Sequence, residues 1–164
     1  PGLRPTAERI RETLFNWIAP TIEGTRCLDL FAGTGALGLE ALSRGALFLD
    51  LVEVSPVAVS QLRENAMQLA AENVKIHQTD AFAFLETRRS GQQFDIVFLD
   101  PPFSDGRYQD LCKLLDERGW LSPGAFVYIE QDREQSSPVL PHGWETVREK
   151  TAGNVRYSLL RKAA

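Results

Sequence analysis

The order of apolar runs and amphipathic stretches in this 164-residue chain predicts an α/β fold: a Rossmann-like, doubly wound, mostly parallel sheet in three layers, with an antiparallel hairpin at its C-terminal end. Three observations carry that expectation. Short β-type runs alternate with helical segments between residues 27 and 129, the pattern of successive βαβ units. Phe94-Asp-Ile-Val-Phe-Leu99 is almost continuously apolar, as a strand covered on both faces must be. A glycine loop, Gly33-x-Gly35-x-x-Gly38, directly follows the first apolar run and opens a helical stretch, at the turn where doubly wound sheets bind ligands.

The elements follow in order. Thr6 is placed as an N-cap, and Ala7, Ile10, Leu14, Trp17 and Ile18 recur at helical spacing over residues 7 to 18, with Pro20 ending the helix. Cys27 to Phe31 reads as the first strand, Ala36 to Ser43 as a helix closed by Gly45, and Leu47 to Val54 as the second strand. Ser55-Pro56 supplies an N-cap and a proline at the first helical position, ahead of the stripe Val59, Leu62, Ala66 and Leu69. Val74 to Gln78 is a third strand and Ala81 to Thr87 a short helix, with a polar loop over 88 to 93. After the fourth strand come a helix at 107 to 118 and a fifth strand at Ala125 to Ile129. Glu145 to Lys150 and Val155 to Leu160 then alternate around Ala152-Gly153-Asn154, as a hairpin closing the sheet edge does.

With 43% hydrophobic residues the chain suits one domain over residues 1–164, including an N-terminal helical segment over 1–20 and a C-terminal hairpin over 144–164. No run of eighteen apolar residues and no apolar leader at the start appears. The expectation is a soluble cytoplasmic monomer without a membrane partner. Cys27 and Cys112 lie far apart and His77 and His142 are isolated, so neither a disulfide framework nor a metal site is expected. The net charge of −4 is uneven. Residues 144 to 164 carry Arg148, Lys150, Arg156, Arg161 and Lys162 against Glu145 and Glu149, so the hairpin is basic and the body acidic. A polyanion would have to dock on the terminal segments.

The glycine loop alone fits a nicotinamide or flavin dinucleotide as well as any other nucleotide-like ligand with an anionic end. Its surroundings narrow the choice. Glu53 ends the second strand twenty residues after Gly33, where a carboxylate accepts from ribose hydroxyls. Asp80 ends the third strand in the same way, ready to accept from an adenine amine, although either acid also serves as a helix cap. Asp29, inside the first strand, either clamps the loop or receives a cofactor ammonium, and Phe31 leads from that strand into the loop. The fourth strand ends at Asp100-Pro101-Pro102-Phe103. Prolines donate no N–H, so the Asp100 carboxylate and the Pro101 carbonyl are acceptors suited to an exocyclic amine, and Phe103 offers a face on which a base can stack.

DLFAGTGALG, LVEVS, TDAF and DPPF, in this order, resemble the motifs of class I S-adenosylmethionine-dependent methyltransferases. DPPF is similar to the Asp-Pro-Pro-aromatic signature of enzymes that methylate amines of nucleic acid bases. LRPTAERIRETLFNWI, DLFAGTGALGLEALSRGA and WETVREKTAGNVRYSL narrow the resemblance to the bacterial 16S ribosomal RNA guanine-N2 methyltransferase family, over nearly the whole chain. The resemblance implies S-adenosylmethionine as cofactor and the small-subunit RNA as partner. In that family Gly33 and Gly35 meet the methionine moiety, Glu53 the ribose, and Asp80 with Ala81 the adenine. Asp100 and Pro101 hold the guanine amine, Phe103 stacks on the base, and the segment with Arg4, Thr6 and Arg9 caps the cofactor site. Left open are an amino methyltransferase for DNA adenine or tRNA, a non-catalytic RNA-binding module and a nicotinamide-dependent oxidoreductase, which would need a second mononucleotide-binding half in place of DPPF and the hairpin.

Overall fold

The computed structural model describes residues 6–87, 92–101 and 107–164. Its elements are α1 (Thr6–Ile18), β1 (Arg26–Asp29), α2 (Ala36–Ser43), β2 (Phe48–Glu53), α3 (Pro56–Gln68), β3 (Val74–Gln78), α4 (Ala81–Glu86), β4 (Phe94–Leu99), α5 (Tyr108–Glu117), β5 (Leu121–Asp132), β6 (Glu145–Ala152) and β7 (Val155–Arg161). The strands form one sheet in the order β3-β2-β1-β4-β5-β7-β6. β1 to β5 pair in parallel and β7 runs antiparallel to both β5 and β6. The chain winds outward from β1 in one direction and resumes at β4 on its other side, so the strand order reverses between β1 and β4.

Two apolar cores flank the sheet. One gathers Phe84 and Leu85 of α4 and Leu111, Cys112 and Leu115 of α5 against Leu28, Val52, Val97 and Ile129. The other gathers Leu14, Phe15 and Ile18 of α1, Leu39 of α2 and Leu62 of α3 against Cys27, Leu51, Phe98 and Tyr128. The central strands β1, β2, β4 and β5 each feed both cores by alternation, which explains the near-continuous apolar run of β4. Leu14, Phe15 and Ile18 are fully buried, and burial of each such side chain contributes about 1.5–3 kcal/mol.

Local chemistry sets most boundaries. The Ser55 hydroxyl accepts from the Ala58 N–H at 3.2 Å ahead of Pro56, capping α3. Gly38 packs α2 onto the sheet so closely that a Cβ there would lie 2.6 Å from Leu51. Several details differ from the sequence expectations; β1 ends at Asp29, two residues short of Phe31, and β6 runs on to Ala152. Thr6 is already helical rather than capping, and Leu69 lies one residue past α3 with 59% of its surface exposed, outside the stripe assigned to it. β5 extends from Leu121 to Asp132, well beyond Ala125–Ile129. The turn-forming Ser122-Pro123-Gly124 is kept in the strand by an irregularity in the β4–β5 register, while β7 pairs with the other end as far as Asp132. The expected loop segment 88–91 and Arg4 fall outside the described residues.

Candidate active site

The reversal point opens a crevice of about 460 Å³ at the carboxyl ends of β1, β2, β3 and β4, lined by Phe31, Gly33, Glu53, Asp80, Ala81 and Asp100 among others. Six residues expected at the site are thus brought together from four strand ends. Pro101 is buried beside them, and Pro102 and Phe103 lie outside the described residues.

Glu53 shapes the glycine loop. Its two carboxylate oxygens accept from the Gly33 N–H at 2.8 Å and the Ser55 N–H at 2.9 Å. The acid that ends β2 thereby fixes the loop after β1 and the entry to α3. Gly33 has φ +57°, and a Cβ there would meet nothing within 4 Å, so the loop leaves open space beside it. Gly35 behaves differently from the expectation that both glycines approach a ligand. Its N–H donates to the Ala32 carbonyl at 2.8 Å, and a Cβ on it would lie 2.6 Å from Leu62 and 2.7 Å from Leu39. Crowding from α3 and α2, together with φ +96°, requires glycine there. The Gly33 and Gly35 amides are thus both engaged within the protein, and what Gly33 contributes to the crevice is room.

Asp80 is an exposed N-cap whose Oδ2 accepts from the Ala83 N–H at 3.1 Å. The helix-cap reading of this acid holds, and Asp80 also lines the crevice next to buried Ala81. Asp29 is 2% exposed, beneath the loop rather than on the crevice wall, with its Oδ1 accepting from the Phe31 N–H at 3.3 Å. Burial pushes its carboxyl up to about 7, the Phe31 N–H opposes the rise, and the charges of Asp100 and Glu53 add to it. The loop-clamp role is seen directly.

Asp100 follows the last residue of β4. It reaches solvent through the crevice mouth, yet protein crowds its inner side, so that burial first and then the charge of Glu130 raise its pKa. Solvent contact moderates the size of that shift and leaves its direction. Glu130 on β5 is raised by burial in turn, against the Tyr128 hydroxyl that donates to its Oε2 at 2.8 Å. Leu51, Phe98 and Tyr128 project into the α1–α3 core, and side chains two residues further along each strand share that face. Glu53, Asp100 and Glu130, with Asp29 one level deeper, therefore line one edge as a row of carboxylates, an environment suited to a cation or to N–H donors.

Three neighbours of the site were not singled out by sequence. Val54 is 63% exposed on the crevice wall, Arg107 lies over the Phe82 ring at 5.2 Å and also lines the crevice, and Glu130, outside the lining itself, stands beside Asp100 on the neighbouring strand. The signal for Glu130 was the rule already visible in Glu53, Asp80 and Asp100, an acid at a strand end. Ending β5 at Ile129 hid it. Among the described residues no cluster of His, Cys, Asp or Glu has the makeup of a metal site, and no helix is long and apolar enough to cross a membrane. Cys27 and Cys112 are buried thiols whose pKa values burial pushes up to about 12, as inert core residues have.

Comparison with known proteins agrees with this architecture. The family model "Conserved hypothetical protein 95" matches residues 1–161. The ribosomal RNA small subunit methyltransferase D of Escherichia coli is 46% identical over the whole chain and 82% of its own length. Its counterpart from Haemophilus influenzae is 40% identical over 96% of this chain and 82% of its own. The solved structure of the Escherichia coli protein yhhF superposes with a TM-score of 0.91 at 43% identity, covering all of this chain and 90% of that one. The sheet order, the acid-lined crevice and these matches over nearly the whole chain converge, and the chain belongs to the Conserved hypothetical protein 95 family, the methyltransferase family that includes the ribosomal RNA small subunit methyltransferase D proteins.

Proposed function

We propose that this protein methylates the exocyclic N2 amine of a guanine in 16S ribosomal RNA, using S-adenosylmethionine, as a cytoplasmic monomer acting on the small subunit or its assembly intermediates. The observation that carries the proposal is Asp100: an acceptor at the strand-order reversal, beside the crevice and without a cationic partner among the described residues. The names of the relatives support ribosomal RNA as the substrate.

The crevice fits the cofactor's chemistry. The open space at Gly33 and the row of carboxylates match a ligand with an amino acid end and positive charge. Glu53 keeps lone pairs for ribose hydroxyls while it holds the loop, and Asp80 with Ala81 and exposed Val54 offer a polar and an apolar contact to the adenine. When bound, S-adenosylmethionine supplies a methyl carbon made electrophilic by its sulfonium.

No nucleophilic side chain is required, so the protein's tasks are alignment and exclusion of water. Asp100 and the Pro101 carbonyl accept from the amine and hold its nitrogen toward the crevice. This favours a pyramidal, nucleophilic geometry over delocalisation into the ring. Asp100, whose proton affinity is raised, can also receive the amine proton. A base stacked in a helix cannot reach these groups, so the target is unstacked or flipped. Arg148 and Lys150, both exposed on β6, are the candidates for contact with the RNA backbone.

The test is transfer of labelled methyl groups to small subunits that lack the modification, followed by nucleoside mass analysis. The expected product is N2-methylguanosine. Methylated adenine, or no incorporation under conditions where S-adenosylmethionine binds, would overturn the proposal.

A further inference from the structure

The Glu130 carboxylate is anchored by one hydrogen bond and uses only part of its accepting capacity. Leu99 of β4 pairs with Ile129 of β5, so Asp100 and Glu130 are the next neighbours along adjacent parallel strands, on the same face of the sheet. The Tyr128 hydroxyl donates to Glu130 Oε2 at 2.8 Å, and the Tyr108 hydroxyl at the start of α5 donates to the Glu130 carbonyl. Tyr128 is fully buried, edge-on to Phe98 at 6.4 Å, and Phe98 packs on Phe15 of α1 at 6.2 Å. Glu130 therefore stands on an aromatic stack that reaches back to the first helix. Oε1 has no donor among the described residues, and neither carboxylate has a cation there.

Two adjacent, incompletely satisfied carboxylates repel each other, and their environment is relieved by a ligand that brings two adjacent N–H donors. Among the nucleobases, guanine sets its N2 amine directly beside a ring N1–H. Adenine and cytosine put an unprotonated ring nitrogen, an acceptor, beside their amines. We propose that Glu130 is the specificity-determining residue, its Oε1 accepting the N1–H of the guanine whose amine Asp100 holds, so that the pair selects guanine and rejects bases with an acceptor at that position.

This inference rests on the guanine-N2 reading, and its test separates the two. Small-subunit RNA is prepared with either guanine or 2-aminopurine at the methylated nucleotide. 2-Aminopurine keeps the amine but has an acceptor at N1. Wild-type protein is expected to prefer guanine by about 100-fold or more in kcat/KM, because a site built to accept a hydrogen bond rejects an analogue without the donor. Glu130→Gln, whose amide can donate to N1, is expected to bring the two substrates to within about tenfold. Glu130→Asp, which withdraws the carboxylate by one methylene, should narrow the preference as well and serves if the Gln variant does not fold. A wild-type enzyme that methylates both RNAs alike, or variants that slow both equally and leave the ratio unchanged, would overturn the inference with the guanine reading intact. No methylation of the guanine RNA at all would defeat both.

Discussion

The two ends of β4 each present an aspartate, and the protein treats them in opposite ways. At the amino end Asp95 is fully engaged: Oδ2 accepts from the Arg26 N–H at 3.0 Å and Oδ1 from the Ser122 hydroxyl at 2.7 Å, so that it ties β1 and β5 to the middle strand. At the carboxyl end Asp100 has no such partner among the described residues, and its neighbour is another acid, Glu130. The same side chain on the same strand is a structural clamp at one edge and an unmet acceptor at the other. An acceptor that the fold gives no protein partner and opens to a crevice marks where a ligand is expected to bind.

The comparison can be broken most sharply by exchanging the two roles. Asp100→Ala is expected to lower methyl transfer by at least about a thousandfold while leaving cofactor affinity within about tenfold and thermal stability undiminished. Asp95→Ala is expected to do the reverse, lowering unfolding free energy by about 1–3 kcal/mol with activity per folded molecule retained. Steady-state methyl transfer and urea unfolding on both variants decide the matter, and loss of activity without loss of stability in Asp95→Ala would erase the distinction.

Glu53 lies between these extremes, since it is satisfied by the protein and lines the crevice too. Glu53→Ala releases the Gly33 and Ser55 amides and is expected to weaken cofactor binding on the order of tenfold to a hundredfold, measured by calorimetry with the reaction product. Unchanged affinity would reduce this acid to a structural role.

A gentler perturbation is pH. Asp29 holds its proton up to about 7, well above its ordinary value of 3.8. Between those values the native state keeps a proton that the unfolded chain has lost, so this group makes stability fall as pH rises from about 4 to 7. The slope is at most about 1.4 kcal/mol per pH unit, and it levels off above 7. Denaturant unfolding of Asp29→Asn across that range is expected to show a flatter decline. A cationic ligand favours the ionised form, so cofactor affinity is expected to increase from pH 6 to pH 8, by about tenfold for one coupled proton. A wild-type-like slope in the variant removes Asp29 as its source.

The smallest expected effect concerns the far side of the sheet. Reversing charge at Arg148 and Lys150 is expected to lower the slope of log K for RNA against log salt by about 1.8 if both meet phosphates of structured RNA. An unaltered slope would exclude the β6 edge from docking.

What was legible in the sequence was local. The Ser55-Pro56 cap, the unbroken apolar run of β4 and the acids Glu53, Asp80 and Asp100 at strand ends depend on near neighbours, and the structure places them as the spacing indicates. What was not legible depends on register and on contacts distant along the chain. Gly35 reads as space for a ligand, but its requirement comes from Leu62 on α3, 27 residues away. Glu130 reads as a residue beyond the end of β5, and only the pairing with β7 carries the strand through it to stand beside Asp100. The acidic row arises because strands drawn from across the sequence present acids on one face at one edge, a property of topology.

The central claim is that the carboxyl end of β4 is left without a protein partner among the described residues, so that a cation and an N–H donor can pair with it. Carbon-detected NMR of the Asp100 carboxyl, titrated in the free protein and again with S-adenosylmethionine bound, tests this most directly. The expected result is a midpoint above the ordinary carboxylate range in the free protein, moving downward when the cation binds. A midpoint near that of a solvent-exposed aspartate, unmoved by the cofactor, would contradict it.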